Sequence, residues 1–160
     1  MKDFVAIFLD IDGVLNDHVP HANGYLGTRA HCVEHFNKIL MYVSKAKIVV
    51  SSAWRYAVLN HEMNIEGFEF LLMTHGVDCK DRVVGTTGED GQHGWITEQA
   101  GYDDRARLIE KYVMKHEIMK YVVLDDMPLP LGALVQTDPS IGLTAENADR
   151  AIEILTGVRP

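Results

Sequence analysis

Phe4-Val5-Ala6-Ile7-Phe8-Leu9-Asp10-Ile11-Asp12-Gly13 is the stretch that decides the fold. The apolar run from Phe4 to Leu9 shows no polar alternation and stops at an acid. Such a run suits a strand covered on both faces, as in a parallel sheet. Two later runs share the design. Ile48-Val49-Val50 stops at Ser51-Ser52, and Tyr121-Val122-Val123-Leu124 stops at Asp125-Asp126. Val83-Val84 and Ala133-Leu134-Val135 are weaker strand candidates.

Helical patterns fill the spaces between. Val33, Phe36, Ile39, Leu40 and Val43 recur at helical spacing within 29–44, with Thr28 as the expected N-cap. Phe68, Leu71 and Leu72 mark a helix within 61–75 that Gly76 would end. Leu108, Ile109, Tyr112 and Val113 mark one in 103–117. Ala148, Ala151, Ile152 and Leu155 mark one in 145–156, capped by Thr144. The order β-α-β-α-β-α-β-β-α predicts an α/β fold, a Rossmann-like open and mostly parallel sheet flanked by helices.

Composition sets the bounds. With 160 residues, 47% apolar and 24% charged, the chain is neither disordered nor fibrous. Residues 1–160 read as one domain. Two cysteines cannot build a disulfide framework, which points to a reduced, cytoplasmic setting. No apolar run reaches the ~18–20 residues of a membrane span. Asp10 and Asp12 interrupt the first apolar stretch too early for a signal peptide. The net charge of −8 weighs against generic affinity for long nucleic acid.

In an open parallel sheet, ligands bind beyond the C-terminal ends of the strands. Three strand ends deliver Asp10 and Asp12, Ser51 and Ser52, and Asp125 and Asp126 to that edge. Asp10 and Asp12 are two residues apart, so extended backbone points them to one side. Gly13 then permits a tight turn and close ligand approach. Four converging carboxylates repel unless a cation or shared protons relieve them. Oxygen-only ligands suit Mg²⁺. An EF-hand reading fails, because Val14 and Leu15 stand where that loop needs a ligand and a glycine. A receiver domain would want its acid pair early, whereas Asp125-Asp126 comes late.

These residues carry a resemblance. Phe8 to Asn16, read Phe-Leu-Asp-Ile-Asp-Gly-Val-Leu-Asn, resembles the first motif of the haloacid dehalogenase superfamily of phosphotransferases. Ile48-Val49-Val50-Ser51 resembles its second motif, and Val122-Val123-Leu124-Asp125-Asp126 its paired-acid fourth. The third is a lone basic residue, for which Arg105 or Lys115 is available. Ser-Ser-Ala-Trp-Arg at 51–55, the Leu-Asp-Asp strand and the tail Thr137-Asp138-Pro139 with Ile141-Gly142-Leu143-Thr144 are similar to the small phosphatase domains associated with RNA-repair enzymes. In that group Arg105 matches the third motif best.

The resemblance implies roles. Asp10 is the expected nucleophile, forming an aspartyl-phosphate. Asp12 is the expected general acid and base. Mg²⁺ is the expected cofactor, held by Asp10, the backbone carbonyl of Asp12, and an acid of the Asp125 and Asp126 pair. Ser51, Gly13, Ser52 and Ala53 would bind phosphate through a hydroxyl and backbone N–H groups at a helix N-terminus. Arg105 would supply fixed positive charge, with a planar fork that a lysine lacks. The expected function is Mg²⁺-dependent hydrolysis of a phosphomonoester, on a nucleotide or a nucleic-acid end. A small phosphorylated metabolite as substrate, or a non-catalytic Mg²⁺- or phosphate-binding module, are the alternatives. No large cap domain fits between the motifs, so the site is expected to be open.

Other features admit two readings. His31, Glu34 and His35 fit H-x-x-E-H, a zinc-hydrolase pattern, on a helix that also needs Val33 and Phe36 for packing. Trp54 reads as a core residue. Arg55 reads either as a substrate-phosphate contact or as a surface residue. His18, His21 and Arg29 either line the pocket or are solvated. Cys32 and Cys79 read as inert thiols. The glycine-rich stretch 85–94 is a lid or a loose connection. Assigning Asp10, Asp12, Asp125 and Asp126 to a site makes the acidity partly local, which weakens its bearing against a nucleic-acid-derived substrate.

Overall fold

The three apolar runs become the three central strands of one parallel sheet. The computed structural model describes residues 4–17, 27–88 and 102–160, with side chains from Arg105 onward in the last segment. The elements are β1 (Val5–Leu9), α1 (Ala30–Tyr42), β2 (Ala46–Val50), α2 (Arg55–Leu59), α3 (Ile65–Thr74), β3 (Val83–Thr86), α4 (Tyr102–Lys115), β4 (Tyr121–Asp125), β5 (Leu134–Gln136) and α5 (Ala145–Thr156). The strand order is β3-β2-β1-β4-β5, and every pairing is parallel. The chain therefore has the Rossmann-like α/β architecture that its runs predict. Among the described residues, no helix is long and apolar enough to cross a membrane.

Strand alternation divides the core in two. Ile7, Leu9, Ile48, Val50, Val122 and Leu124 face α1, α3 and α5, meeting Phe36, Phe68, Leu72 and Ile152. Phe8, Val49 and Val123 face the other way, toward Ala106 and Ile109 of α4. Phe8 meets Tyr112 and Tyr121 edge-on at 5.7 and 5.6 Å. Burial on both faces explains why these strands carry no polar alternation.

Residues 126–133 join β4 to β5, two parallel neighbours, without a helix. A parallel crossover is usually a dozen or more residues and helical. Here Met127, Leu129 and Leu131 pack on the α4-side core while Pro128 and Pro130 face solvent. The alternating prolines hold an extended path, which does the covering that a helix would otherwise do.

The structure corrects several local expectations. Arg29, not Thr28, occupies the N-cap of α1, and it makes no side-chain cap. The Thr28 hydroxyl instead lies 3.2 Å from His75 Nδ1. The helix expected over 61–75 begins only at Ile65, where Asn64 accepts from the Gly67 N–H at 2.8 Å. His61 adopts a positive φ of 59°, which no α-helix tolerates. A separate short helix, α2, precedes it and adds an element the periodicity did not reveal. α5 is capped as expected, Thr144 and Asn147 forming a reciprocal capping box.

Candidate active site

Backbone register brings the polar strand ends into one row. Leu9 pairs with Val50 on one side and Leu124 on the other, and Val50 pairs with Thr86. One step further, the ladder continues. Asp10 donates its N–H to Leu124, Ser51 to Leu9, and Thr87 to Val50, at 2.9–3.0 Å. Asp125, Asp10, Ser51 and Thr87 thus stand side by side across β4, β1, β2 and β3. Each lies two residues beyond a residue on the α4 side of the sheet, so all four side chains share that face. All four are buried.

α4 brings a cation to this row. Nη1 of Arg105 donates to Asp125 Oδ2 at 2.8 Å and to Asp10 Oδ2 at 3.2 Å. Burial pushes the Asp10 carboxyl well above its ordinary value of 3.8. Arg105 opposes that rise, while Asp125 and Asp126 add to it. Burial also raises Asp125, again against Arg105. For Arg105, burial works downward, but Asp10 and Asp125 outweigh it and hold the guanidinium above its ordinary value. Lys115 stands ten residues further along α4, about 15 Å at 1.5 Å per residue. It lines a separate notch with Thr86, Lys111 and His116. The structure therefore selects Arg105 over Lys115 as the basic residue at the row.

Asp12 has its own support. Asn16 Nδ2 donates to its Oδ1 at 2.8 Å, and Trp54 Nε1 donates to its Oδ2 at 3.1 Å. Gly13 turns the chain with φ +78°, and its N–H donates to Asn16 Oδ1 at 2.8 Å. The core reading of Trp54 holds, with one addition. The ring does pack against the core, but its N–H reaches the Asp12 carboxylate. Sequence spacing offers no sign of this, because a donor-only indole is indistinguishable from a core ring until its neighbour is known.

The 51–55 segment also departs from expectation. Arg55 is 2% exposed, which rules out a surface role. Its Nη1 donates to the carbonyls of Ser51 and Ser52, and its plane lies 4.7 Å from the Tyr56 ring centroid. In this arrangement Arg55 braces the loop from within. The Ser52 hydroxyl accepts from the Trp54 N–H at 3.0 Å, closing the turn through Ala53. The helix that follows is Arg55–Leu59, a short one, so a helix N-terminus does stand just after Ser51-Ser52. The Ser51 hydroxyl, in contrast, is fully buried with no hydrogen-bond partner among the described residues.

The C-terminal tail locks the first loop. Thr137 Oγ1 donates to the Gly13 carbonyl at 2.6 Å, and the Leu143 N–H donates to Val14 at 2.8 Å. Gly142 has φ +79°, and a Cβ there would stand 2.6 Å from Cys32 Sγ and 2.9 Å from the Asn16 carbonyl. Only glycine fits.

The donor set suits a hard cation. Asp10, Asp125 and Asp126 each offer a carboxylate oxygen, all within 4.8 Å of one another. The orphaned Ser51 hydroxyl beside them is the kind of group that an incoming oxyanion satisfies. The Asp12 carboxylate is not in that cluster, which leaves its backbone carbonyl as the ligand expected of it. Among the described residues, His31, Glu34 and His35 belong to no metal-binding group, and the acid cluster alone gathers such side chains. His31 Nε2 lies 3.0 Å from the Ile141 carbonyl, a contact that gives the ring a structural partner. Arg29 pairs with Asp17 at 2.7 Å. Burial raises both thiols, that of Cys79 to about 12. His18, His21 and positions 89–94 of the glycine-rich stretch lie outside the described residues.

Fold and row together define an α/β protein whose parallel sheet carries a buried acidic cluster at one strand edge. The chain belongs to the family described as the HAD domain in Swiss Army Knife RNA repair proteins, HAD denoting haloacid dehalogenase, whose model matches residues 6–148. Comparison with curated proteins and with solved structures returned no significant match.

Proposed function

We propose that the chain is a Mg²⁺-dependent phosphomonoesterase, a single catalytic domain over residues 1–160 that works in a reduced, cytoplasmic setting. The observation that carries this is Asp10, a buried carboxylate flanked in register by Asp125 and the orphaned Ser51 hydroxyl, and contacted by Arg105. Asp10 attacks phosphorus, the ester P–O bond breaks, and Asp12 gives its proton to the departing oxygen. Water then attacks phosphorus and passes its proton to Asp12. The bond to Asp10 breaks, releasing inorganic phosphate. Asn16 and Trp54 hold Asp12 in position, and Arg105 and Ser51 engage the phosphoryl oxygens. Asp10, Asp125, Asp126 and the Asp12 carbonyl would hold Mg²⁺. When bound, the ion supplies the positive charge that neutralises carboxylates and phosphate together.

The family description supports a nucleic-acid end as the phosphate carrier. A terminal phosphate needs only local contacts, so the net charge of −8 does not oppose it. Purified protein assayed on p-nitrophenyl phosphate with Mg²⁺ or EDTA tests the chemistry. Turnover that needs Mg²⁺ and disappears in Asp10→Asn is expected. Undiminished turnover in that variant would overturn the mechanism. No turnover by the wild type on any phosphate monoester, with Mg²⁺ still bound, would favour a non-catalytic binding module. Phosphorylated RNA oligonucleotides, mononucleotides and sugar phosphates then sort the substrates. Activity confined to sugar phosphates would refute the RNA-end assignment.

A further inference from the structure

We propose that Thr87 is a further substrate-contacting residue, whose hydroxyl binds an oxygen of the alcohol portion of the phosphate ester. The inference rests on the phosphomonoesterase reading above. β3 ends at Thr86, yet the Thr87 N–H donates to the Val50 carbonyl at 3.0 Å, which extends the ladder by one step and sets Thr87 beside Ser51. Two residues earlier, Gly85 faces α4, where a Cβ would stand 3.0 Å from the Tyr112 hydroxyl. Strand alternation therefore turns Thr87 toward the face that holds Asp10 and Ser51. Thr87 is 0% exposed, and its Oγ1 has no hydrogen-bond partner among the described residues.

An unpaired buried hydroxyl is destabilising, and valine would fill the same space without that cost. Two such hydroxyls, Ser51 and Thr87, stand on neighbouring strands at the end of the row. Acids occupy one end of the row and unsatisfied hydroxyls the other. Both hydroxyls are fully buried. Distance separates their tasks. Strands lie about 4.8 Å apart, which sets Thr87 about 10 Å from Asp10. A phosphoryl group on Asp10 reaches the Ser51 hydroxyl but not that of Thr87. The group within reach of Thr87 is the organic part of the ester. A hydroxyl both donates and accepts, so it suits a sugar hydroxyl or ring oxygen. p-Nitrophenyl phosphate has no sugar hydroxyl or ring oxygen, and its nitro group is only a weak acceptor.

The test compares wild type, Thr87→Val, Thr87→Ser and Ser51→Ala on a ribonucleoside monophosphate and on p-nitrophenyl phosphate, with Mg²⁺. Thr87→Val is expected to lower the ratio of kcat/KM for the nucleotide over that for p-nitrophenyl phosphate by about two- to tenfold, the loss of one neutral hydrogen bond. Thr87→Ser keeps the ratio. Ser51→Ala lowers both values together, because it acts on the shared phosphoryl group. Thermal melting of Thr87→Val without substrate is expected to show no loss of Tm, since an orphaned hydroxyl has been removed. An unchanged ratio in Thr87→Val, or a fall in Tm with equal losses on both substrates, would overturn the assignment of Thr87 and leave the phosphomonoesterase reading standing. Absence of wild-type turnover on both substrates would remove that reading, and this inference with it.

Discussion

One nitrogen of Arg105, Nη1, donates to both Asp125 and Asp10, at 2.8 and 3.2 Å. A single guanidinium therefore ties the ends of β4 and β1 together and offsets two buried carboxylates. Arg105→Met leaves those carboxylates uncompensated. Loss of about 3–5 kcal/mol at neutral pH is expected in urea unfolding of the metal-free protein, the cost of breaking a buried pair. Added Mg²⁺ should recover part of that loss, since a ligand of the folded state stabilises it by mass action. Arg105→Lys keeps the charge but loses the fork, so it should retain more stability than activity.

Asp10 and Asp125 give the metal-free protein a pH-dependent stability. Both have folded values above the ordinary 3.8, chiefly through burial. Their contribution is complete below the unfolded value and is lost as pH rises through the raised folded values. In EDTA, the wild type should therefore lose Tm relative to Asp10→Asn as pH climbs from about 4 toward 7. Asp10→Asn should melt higher than wild type at neutral pH while showing no turnover, as function-driven strain at a site predicts. Parallel melting curves for the two proteins across that range would contradict this account.

Trp54 holds Asp12 through one hydrogen bond to a carboxylate. Trp54→Phe keeps most of the ring and removes the donor. Hydrogen bonds to charged groups are worth about 1.5–3 kcal/mol, which corresponds to about ten- to hundredfold. The deficit should appear with alkyl phosphates, whose departing oxygen needs a proton, and shrink with p-nitrophenyl phosphate, whose does not. Equal losses on both would make Trp54 a packing residue.

Gly142 is pinned between the first loop and α1. Gly142→Ala places a Cβ against Cys32 Sγ and two backbone carbonyls, at φ +79°. Overpacking of this kind costs about 1–3 kcal/mol, and the left-handed backbone adds to it. A lowered Tm with weakened Mg²⁺ binding is the expected result. Because the carbonyls belong to Val14 and Asn16, the strain would pass directly into the loop that carries Asp12.

Much of this was legible in the chain. The runs ending at Asp10, Ser51 and Asp125 identify buried strands, because a strand covered on both faces has no polar positions to alternate. The turn at Gly13 and the cap at Thr144 are local chemistry and read correctly. α2 was missed because five residues carry too little periodicity to register. The cap of α1 was misassigned because Thr28 finds His75, 47 positions away, instead of its own helix.

The sequence by itself determined which segments are strands, that each ends in a polar residue, and that acids and hydroxyls gather at one edge. Those properties depend on neighbours in the chain. Only the tertiary structure decided which of them meet. The choice of Arg105 over Lys115 rests on a contact across 95 positions, and the task of Trp54 on one across 42. Thr87 becomes visible only when β3 pairs with β2 and carries its hydroxyl into the row. Hydrogen-bond partners and burial are properties of packing, and residues distant in the chain set them.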